Sequence, residues 1–327
     1  MKSDRLEKAI QFSHPGGEHK EGKIINGTNL YFKEWNKGKH QRKYVRQIGD
    51  YINCSGERIE NQPIDFWCEW EAESIVKKAV GKECSYNNQF PENIHYPIFI
   101  PKTERVNNVL KFENENYDLK SGENTDPFVF GDEFYFTCCK ENVKKKLDKG
   151  SLILFGSTVI KGGKRFMIDT VFVVRDIYEC GSAEYRNLSK NKIFKETVLD
   201  LLGNSCSESD DDTILVGATY DKPHNGMYGF FPCHQSTDKD SFERLIVDKD
   251  VHMNITDYVQ NIRNIVINDE TEIKKVWDNI VNCCIERGYF LGIKAELPQE
   301  IKIKSNTFDV KGIVNSIDNQ IRQVNIK

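Results

Sequence analysis

The chain lacks any long hydrophobic run. None of its 327 residues opens a stretch approaching the ~20 apolar residues that a membrane-spanning helix needs, so no membrane partner is expected. The N-terminal residues MKSDRLEKAIQFSH contain no apolar stretch of secretory-signal length, which points to a cytoplasmic protein. Its ten cysteines include no Cys-x-x-Cys pair, so a zinc site built on cysteine alone is not expected. Without an export signal, neither is a disulfide framework. Cys68, Cys138, Cys139, Cys283 and Cys284 lie in apolar or aromatic stretches, where a free thiol behaves as a small hydrophobe. Excess positive charge is also missing. There are 46 Lys and Arg against 50 Asp and Glu, a formal net charge of -4, which argues against coating nucleic acid by charge alone and leaves room for a local basic patch. No internal repeat is visible.

What is present is an aromatic, globular composition: 38% apolar and 29% charged residues, with 19 Phe, 13 Tyr and 4 Trp. The mean hydropathy of -0.59 is on the polar side, yet the aromatic content is too high for a disordered chain. Short segments rich in β-branched and aromatic residues, bounded by Gly, Pro, Asn or Asp, predict strands over 9–13, 43–48, 64–70, 133–139, 151–156, 166–175, 213–219 and 228–233. Helical periodicity appears over 73–80, 192–202 and, most clearly, 270–287. In the last of these Ile273, Val276, Trp277, Ile280, Val281 and Cys284 form one stripe, Asp269, Glu270 and Glu272 suit the helix start, and Gly288 suits its end. Residues 102–127 and 203–212 read as polar loops. Together these predict an α+β fold: a β-barrel-like or strongly bent mixed sheet with peripheral helices over 1–250, followed by a helical C-terminal region over 251–327.

Three polar constellations crowd the first 71 residues. His14-Pro15-Gly16-Gly17-Glu18-His19 follows a predicted strand, and Pro-Gly-Gly permits a tight turn with close backbone approach to a ligand. His14, Glu18 and His19 would serve as acid and base groups there, or as weak metal ligands, although their spacing matches no helical His-Glu-x-x-His pattern. The competing reading is a strand turn whose imidazoles satisfy local backbone groups. In His40-Gln41-Arg42-Lys43-Tyr44-Val45-Arg46, strand alternation puts Arg42, Tyr44 and Arg46 on one face, a cationic and aromatic stripe suited to phosphates and bases. The competing reading is a solvated basic strand edge. In Asp65-Phe66-Trp67-Cys68-Glu69-Trp70-Glu71, Phe66, Cys68 and Trp70 point to the core, while Asp65, Trp67, Glu69 and Glu71 share the other face. An exposed polar sheet face would account for that set. So would a pocket in which Trp67 stacks on a planar ligand while Glu69 or Glu71 pairs with Arg42 or a base edge.

Other candidates carry less chemistry. His224 sits in a turn, Cys233 and His234 are adjacent and so face opposite sides of a strand, and Gly162-Gly163 reads as a hairpin turn, since no phosphate-loop Lys-Ser/Thr or helix follows it.

The stretch Gly131-Asp132-Glu133-Phe134-Tyr135-Phe136, followed after a short helix by Leu147-Asp148-Lys149-Gly150-Ser151-Leu152-Ile153-Leu154-Phe155-Gly156, resembles the PUA-like superfamily in its EVE and ASCH branches. The resemblance spans residues 131–175 or so. It implies a small β-barrel whose cleft reads RNA or a modified DNA base, often by stacking the base on an aromatic ring.

The expectation is therefore recognition, with processing left open, of a nucleotide or a flipped base. Trp67 would stack on it, Arg42 and Arg46 would hold phosphate, with His40 and Tyr44 also among the binding residues, and Glu69, Glu71, His14 and His19 would contact the base edge, with Glu18 joining them as a catalytic candidate. The three segments would converge on one cleft, with Arg42 and Glu69 outside the core. No metal or other cofactor is expected. Two alternatives stand: metal-assisted hydrolysis at His14, Glu18, His19 and His40, or an interaction subunit that offers helix 270–287 to a partner.

Overall fold

The computed structural model describes residues 5–13, 30–31, 42–72, 74–78, 90–101, 111–112, 115–116, 125–137, 141–159, 165–179, 181–188, 190–201, 213–237, 242–247, 261–300 and 318–319. Its strands are β1 (Lys8–Ser13), β2 (Leu30–Tyr31), β3 (Lys43–Ile52), β4 (Arg58–Cys68), β5 (Ser74–Lys78), β6 (Asn93–Phe99), β7 (Lys111–Phe112), β8 (Glu115–Asn116) and β9 (Tyr135–Phe136). They continue with β10 (Leu152–Val159), β11 (Arg165–Glu179), β12 (Thr213–Gly217), β13 (Phe231–Gln235), β14 (Ile246–Val247), β15 (Asn261–Ile267), β16 (Phe290–Ala295) and β17 (Gln299–Glu300). Among the described residues the α-helices are the short α1 (Glu141–Lys144), α2 (Ala183–Leu188) and α3 (Lys192–Thr197) and the long α4 (Glu270–Glu286). The α+β class holds, with strands dominant.

The strands form two mixed sheets and a separate β7–β8 pair. The first sheet runs β15-β1-β10-β11-β12-β9, with β14 on β11; the second runs β16-β13-β4-β3-β6-β5-β2, with β17 on β6 and β16 also paired to β3. β1 lies parallel to β10, while β15 lies antiparallel to β1. The expected Gly162-Gly163 turn lies outside the described residues, but β10 and β11, which flank it, do pair antiparallel from Val159↔Arg165 inward.

Alternation in the first sheet explains why both of its faces are covered. Ile10, Phe12, Ile153, Phe155, Phe172 and Val174 join Val45, Phe66, Cys68 and Trp70 of the second sheet in one core. The opposite side chains, Ala9, Leu152, Leu154, Val171 and Val173, pack with Ile273, Val276, Trp277, Ile280 and Cys284 of α4. α4 starts and stops where its sequence indicates. Asp269 accepts the Glu272 N–H at 3.0 Å, and Gly288 takes φ +78° just past the end. This apolar stripe is buried against the first sheet.

Two expectations change. Residues 74–78 form strand β5, not a helix. Ile75 and Val76 are both buried and β5 pairs with β6 on one side and β2 on the other, so ladder hydrogen bonds and β-branched side chains override a weak helical pattern. The C-terminal stretch expected to be helical carries α4 but also β15, β16 and β17, which pair with β1, with β13 and β3, and with β6. It is woven into both sheets. No helix among the described residues is long and apolar enough to cross a membrane.

Candidate functional site

Strands β3 and β4 run antiparallel in the register Tyr44↔Trp67 and Arg46↔Asp65, which brings Arg42 opposite Glu69. One face therefore carries three cross-strand pairs in a row. Arg46 clasps Asp65 through two hydrogen bonds of 2.8 Å, Nε to Oδ1 and Nη2 to Oδ2, and its Nη2 also donates to the Thr237 carbonyl at 3.0 Å. Ser236 donates its hydroxyl to Asp65 at 2.6 Å. The Tyr44 and Trp67 rings meet at 5.5 Å. Arg42 donates from Nη1 to Glu69 Oε2.

The first sheet closes this face through a β-bulge. Phe155 pairs with Thr170 and Gly156 with Ile168, so Asp169 is the extra residue of β11. Bulges re-aim side chains and are common beside functional sites. The bulge also requires glycine at 156, because a Cβ there would lie 1.9 Å from the Met167 carbonyl oxygen. Asp169 accepts Arg42 Nε at 2.8 Å and Arg244 through contacts of 3.0, 2.6 and 2.7 Å. Arg244 also donates to Ser157 at 3.1 Å and lies with its guanidinium carbon 4.9 Å from the Trp67 ring centre. The result is a four-charge network, Glu69–Arg42–Asp169–Arg244, that ties the two sheets together around one indole.

These groups are buried, which corrects the expectation that Arg42 and Glu69 lie outside the core and equally the competing reading of a solvated strand edge. Arg42 and Glu69 are each 1% exposed, and Arg46, Asp65, Trp67, Glu71, Asp169 and Arg244 are buried as well. Cations and carboxylates so deep are tolerated only when paired. Arg46 is accordingly engaged by Asp65 and Thr237 and is not held open for phosphate, and the Trp67 ring is already in contact with Arg244 and Tyr44. Glu71 lies past the strand end, its backbone N–H bound to the Thr125 hydroxyl at 3.2 Å. Burial lowers the proton affinity of Arg42, but Glu69 and then Asp169 more than reverse this and hold its pKa above the usual arginine range. Burial pushes the Asp65 carboxyl up, with Arg46 and Ser236 pulling it partly back. Burial also raises the Tyr44 phenol.

Of the remaining candidates, His14, Glu18, His19 and His40 lie outside the described residues. Their chain neighbours do not. Ser13, the last residue of β1, is buried and pairs with Gly156 at the Asp169 bulge, and Arg42 follows His40 by two positions. Among the described residues no group of three or more His, Cys, Asp and Glu is placed to hold a metal ion.

Asp169, Arg244, Ser157 and Ser236 were not anticipated. Asp169 did carry a signal: a lone carboxylate in the apolar run FMIDTVFVV, where burial demands a partner. Gln11 and Ser13, buried polar residues on β1 that bond each other at 3.0 Å, show the same signature. Nothing local marks Arg244.

At the rim of the site, His234 stacks on Phe242 with ring centres 3.7 Å apart and touches the Tyr289 ring at 4.4 Å; across the strand it stands in register with Asp65. Burial pushes its pKa from 6.5 down to about 4. As pH falls below 6.5 the unfolded chain gains a proton that the native imidazole refuses until about 4, so this contribution to stability is present at neutral pH and lost over that interval. The urea midpoint is expected to decline from pH 7 to pH 4, and His234→Phe, which keeps the stack on Phe242, is expected to flatten part of that decline. Equal slopes in the two proteins would assign the acid loss elsewhere.

Comparison with protein-family models, with curated proteins and with solved structures finds no match to this chain, so the reading of the site rests on its own residues.

Proposed function

We propose that the buried polar network joining the two sheets recognises a nucleotide or a base of a nucleic acid. The observation that carries this reading is a pair of buried donors. Among the described residues Arg42 Nη2 and Trp67 Nε1 have no hydrogen-bond partner, although both side chains are at least nine-tenths buried. Each unsatisfied donor costs the fold about 1–3 kcal/mol, and a ligand that brings acceptor oxygens or ring nitrogens removes that cost. An indole, two guanidiniums and two carboxylates joined in one network are the groups that stack on a planar ring, meet a phosphate and read a base edge. The resemblance of residues 131–175 to the PUA-like superfamily points the same way, as analogy. Processing of the base would fall to His14, Glu18 and His19, and the hydrolase alternative to the same groups with His40; all four lie outside the described residues.

Nucleotide carried through purification is the test. The protein is expected to leave the column with a 260/280 nm absorbance ratio above that of its aromatic residues alone, and acid extraction should release the nucleotide. Trp67→Phe keeps a ring but deletes Nε1–H, and retention should fall by about tenfold, the worth of one hydrogen bond. A nucleotide-free protein that also fails to bind mononucleotides at millimolar concentration ends this reading.

A further inference from the structure

We propose that Arg244 is a resident stand-in for the ligand and that the group it imitates is a guanine base. The inference rests on the nucleotide reading above and names the base. Arg244 is 1% exposed. Its planar head lies 4.9 Å from the Trp67 ring centre and turns N–H donors onto the Asp169 carboxylate at 2.6 to 3.0 Å. A flat cation over an indole face, with adjacent N–H donors aimed at one carboxylate, occupies the place a recognised base would take. Among the neutral common bases only guanine presents two adjacent donors, N1–H and N2–H, on its pairing edge. Adenine and cytosine present a donor beside an acceptor, and uracil has one donor between two carbonyls.

The surroundings suit an exchange of side chains without unfolding. The backbone of 242–247 is held independently of the Arg244 head. The Phe242 N–H reaches the Tyr44 hydroxyl at 3.3 Å, the Ile168 N–H reaches the Leu245 carbonyl at 2.9 Å, Arg287 and Tyr289 donate to the Ile246 and Glu243 carbonyls, and Val247 pairs with Phe166. Asp169 stays paired with Arg42 at 2.8 Å when Arg244 leaves. Arg42 and Arg244 balance Glu69 and Asp169 in charge, so departure of Arg244 leaves the pocket one charge negative, suited to a donor edge, and frees a guanidinium for the ligand's phosphate.

Calorimetric titration of guanosine, adenosine, GMP and AMP into the full-length protein, Arg244→Ala and Arg244→Lys decides the matter, with circular dichroism confirming that each variant is folded. Arg244→Ala is expected to bind guanosine about tenfold more tightly than the wild type, because no internal competitor remains. Millimolar guanidinium should compete with guanosine in that variant and not in the wild type, and adenosine should stay weak throughout. Should Arg244→Ala fail to fold, Arg244→Lys carries the same comparison, since an ammonium can neither stack as a plane nor offer paired donors. Guanosine affinity that is unchanged or lower in the variants, or equal affinity for guanosine and adenosine, overturns the inference while leaving the nucleotide reading standing. Failure of every nucleoside and nucleotide to bind any of the three proteins removes both.

Discussion

Asp169→Ala is expected to destabilise the fold by about 3–5 kcal/mol, the cost of breaking a buried ion pair by removing one partner. Asp169 accepts from both Arg42 and Arg244, so its loss leaves Arg42 with Glu69 alone and takes from Arg244 the carboxylate that holds it. It also removes the side chain that links the first sheet to the start of β3. The urea midpoint at pH 7 should drop accordingly, and Asp169→Asn, which keeps one acceptor and nearly the same shape, should fall in between. An unchanged midpoint in Asp169→Ala would mean that water reaches the network freely. Arg42→Ala and Glu69→Ala, which look dispensable for folding when read as surface residues, belong in the same class of effect.

Trp277→Ala is expected to cost a similar amount, about 3–5 kcal/mol, for a different reason. The indole is 6% exposed in the core that joins α4 to the first sheet. It donates Nε1–H to the Tyr228 carbonyl at 2.9 Å and meets the Tyr228 and Phe230 rings edge-on at 5.2 and 6.2 Å. Alanine leaves a cavity and an unsatisfied carbonyl together. Thermal or urea unfolding reads the loss, and stability equal to the wild type would show that the stripe of α4 is not packed on the sheet.

The two predictions differ in how visible their residues are in the sequence. Trp277 is visible because α4 is regular: its apolar stripe, Asp269 cap and Gly288 stop all report the same helix, and local signals that agree are the ones that survive folding. The strand alternation of β3 and β4 is equally legible, since Val45, Phe66 and Cys68 do face the core while Arg42, Tyr44 and Trp67 share the other side. What alternation does not reveal is what covers that side. Periodicity separates two faces but does not say whether the polar one meets water or another sheet. Here it meets Asp169 and Arg244, which lie 127 and 202 positions beyond Arg42. The pairing of Arg42 with Glu69 was within reach because it is a cross-strand neighbour contact. The junction with β11 depends on a bulge that no local pattern marks. The same limit explains β5, where Ser74–Lys78 has a mild helical spacing but acquires strand partners from 30–31 and 93–97.

The proposed ligand site draws together the segment after β1, the start of β3 and the end of β4. Hydrogen–deuterium exchange measured with and without millimolar ribonucleoside monophosphates tests it most directly. Slower exchange is predicted together in three peptides far apart in sequence, covering residues 13–19, 40–46 and 65–71, with residues 242–247 responding as well because Arg244 stands over Trp67. Protection confined to one of these peptides, or located elsewhere in the chain, would contradict a common site.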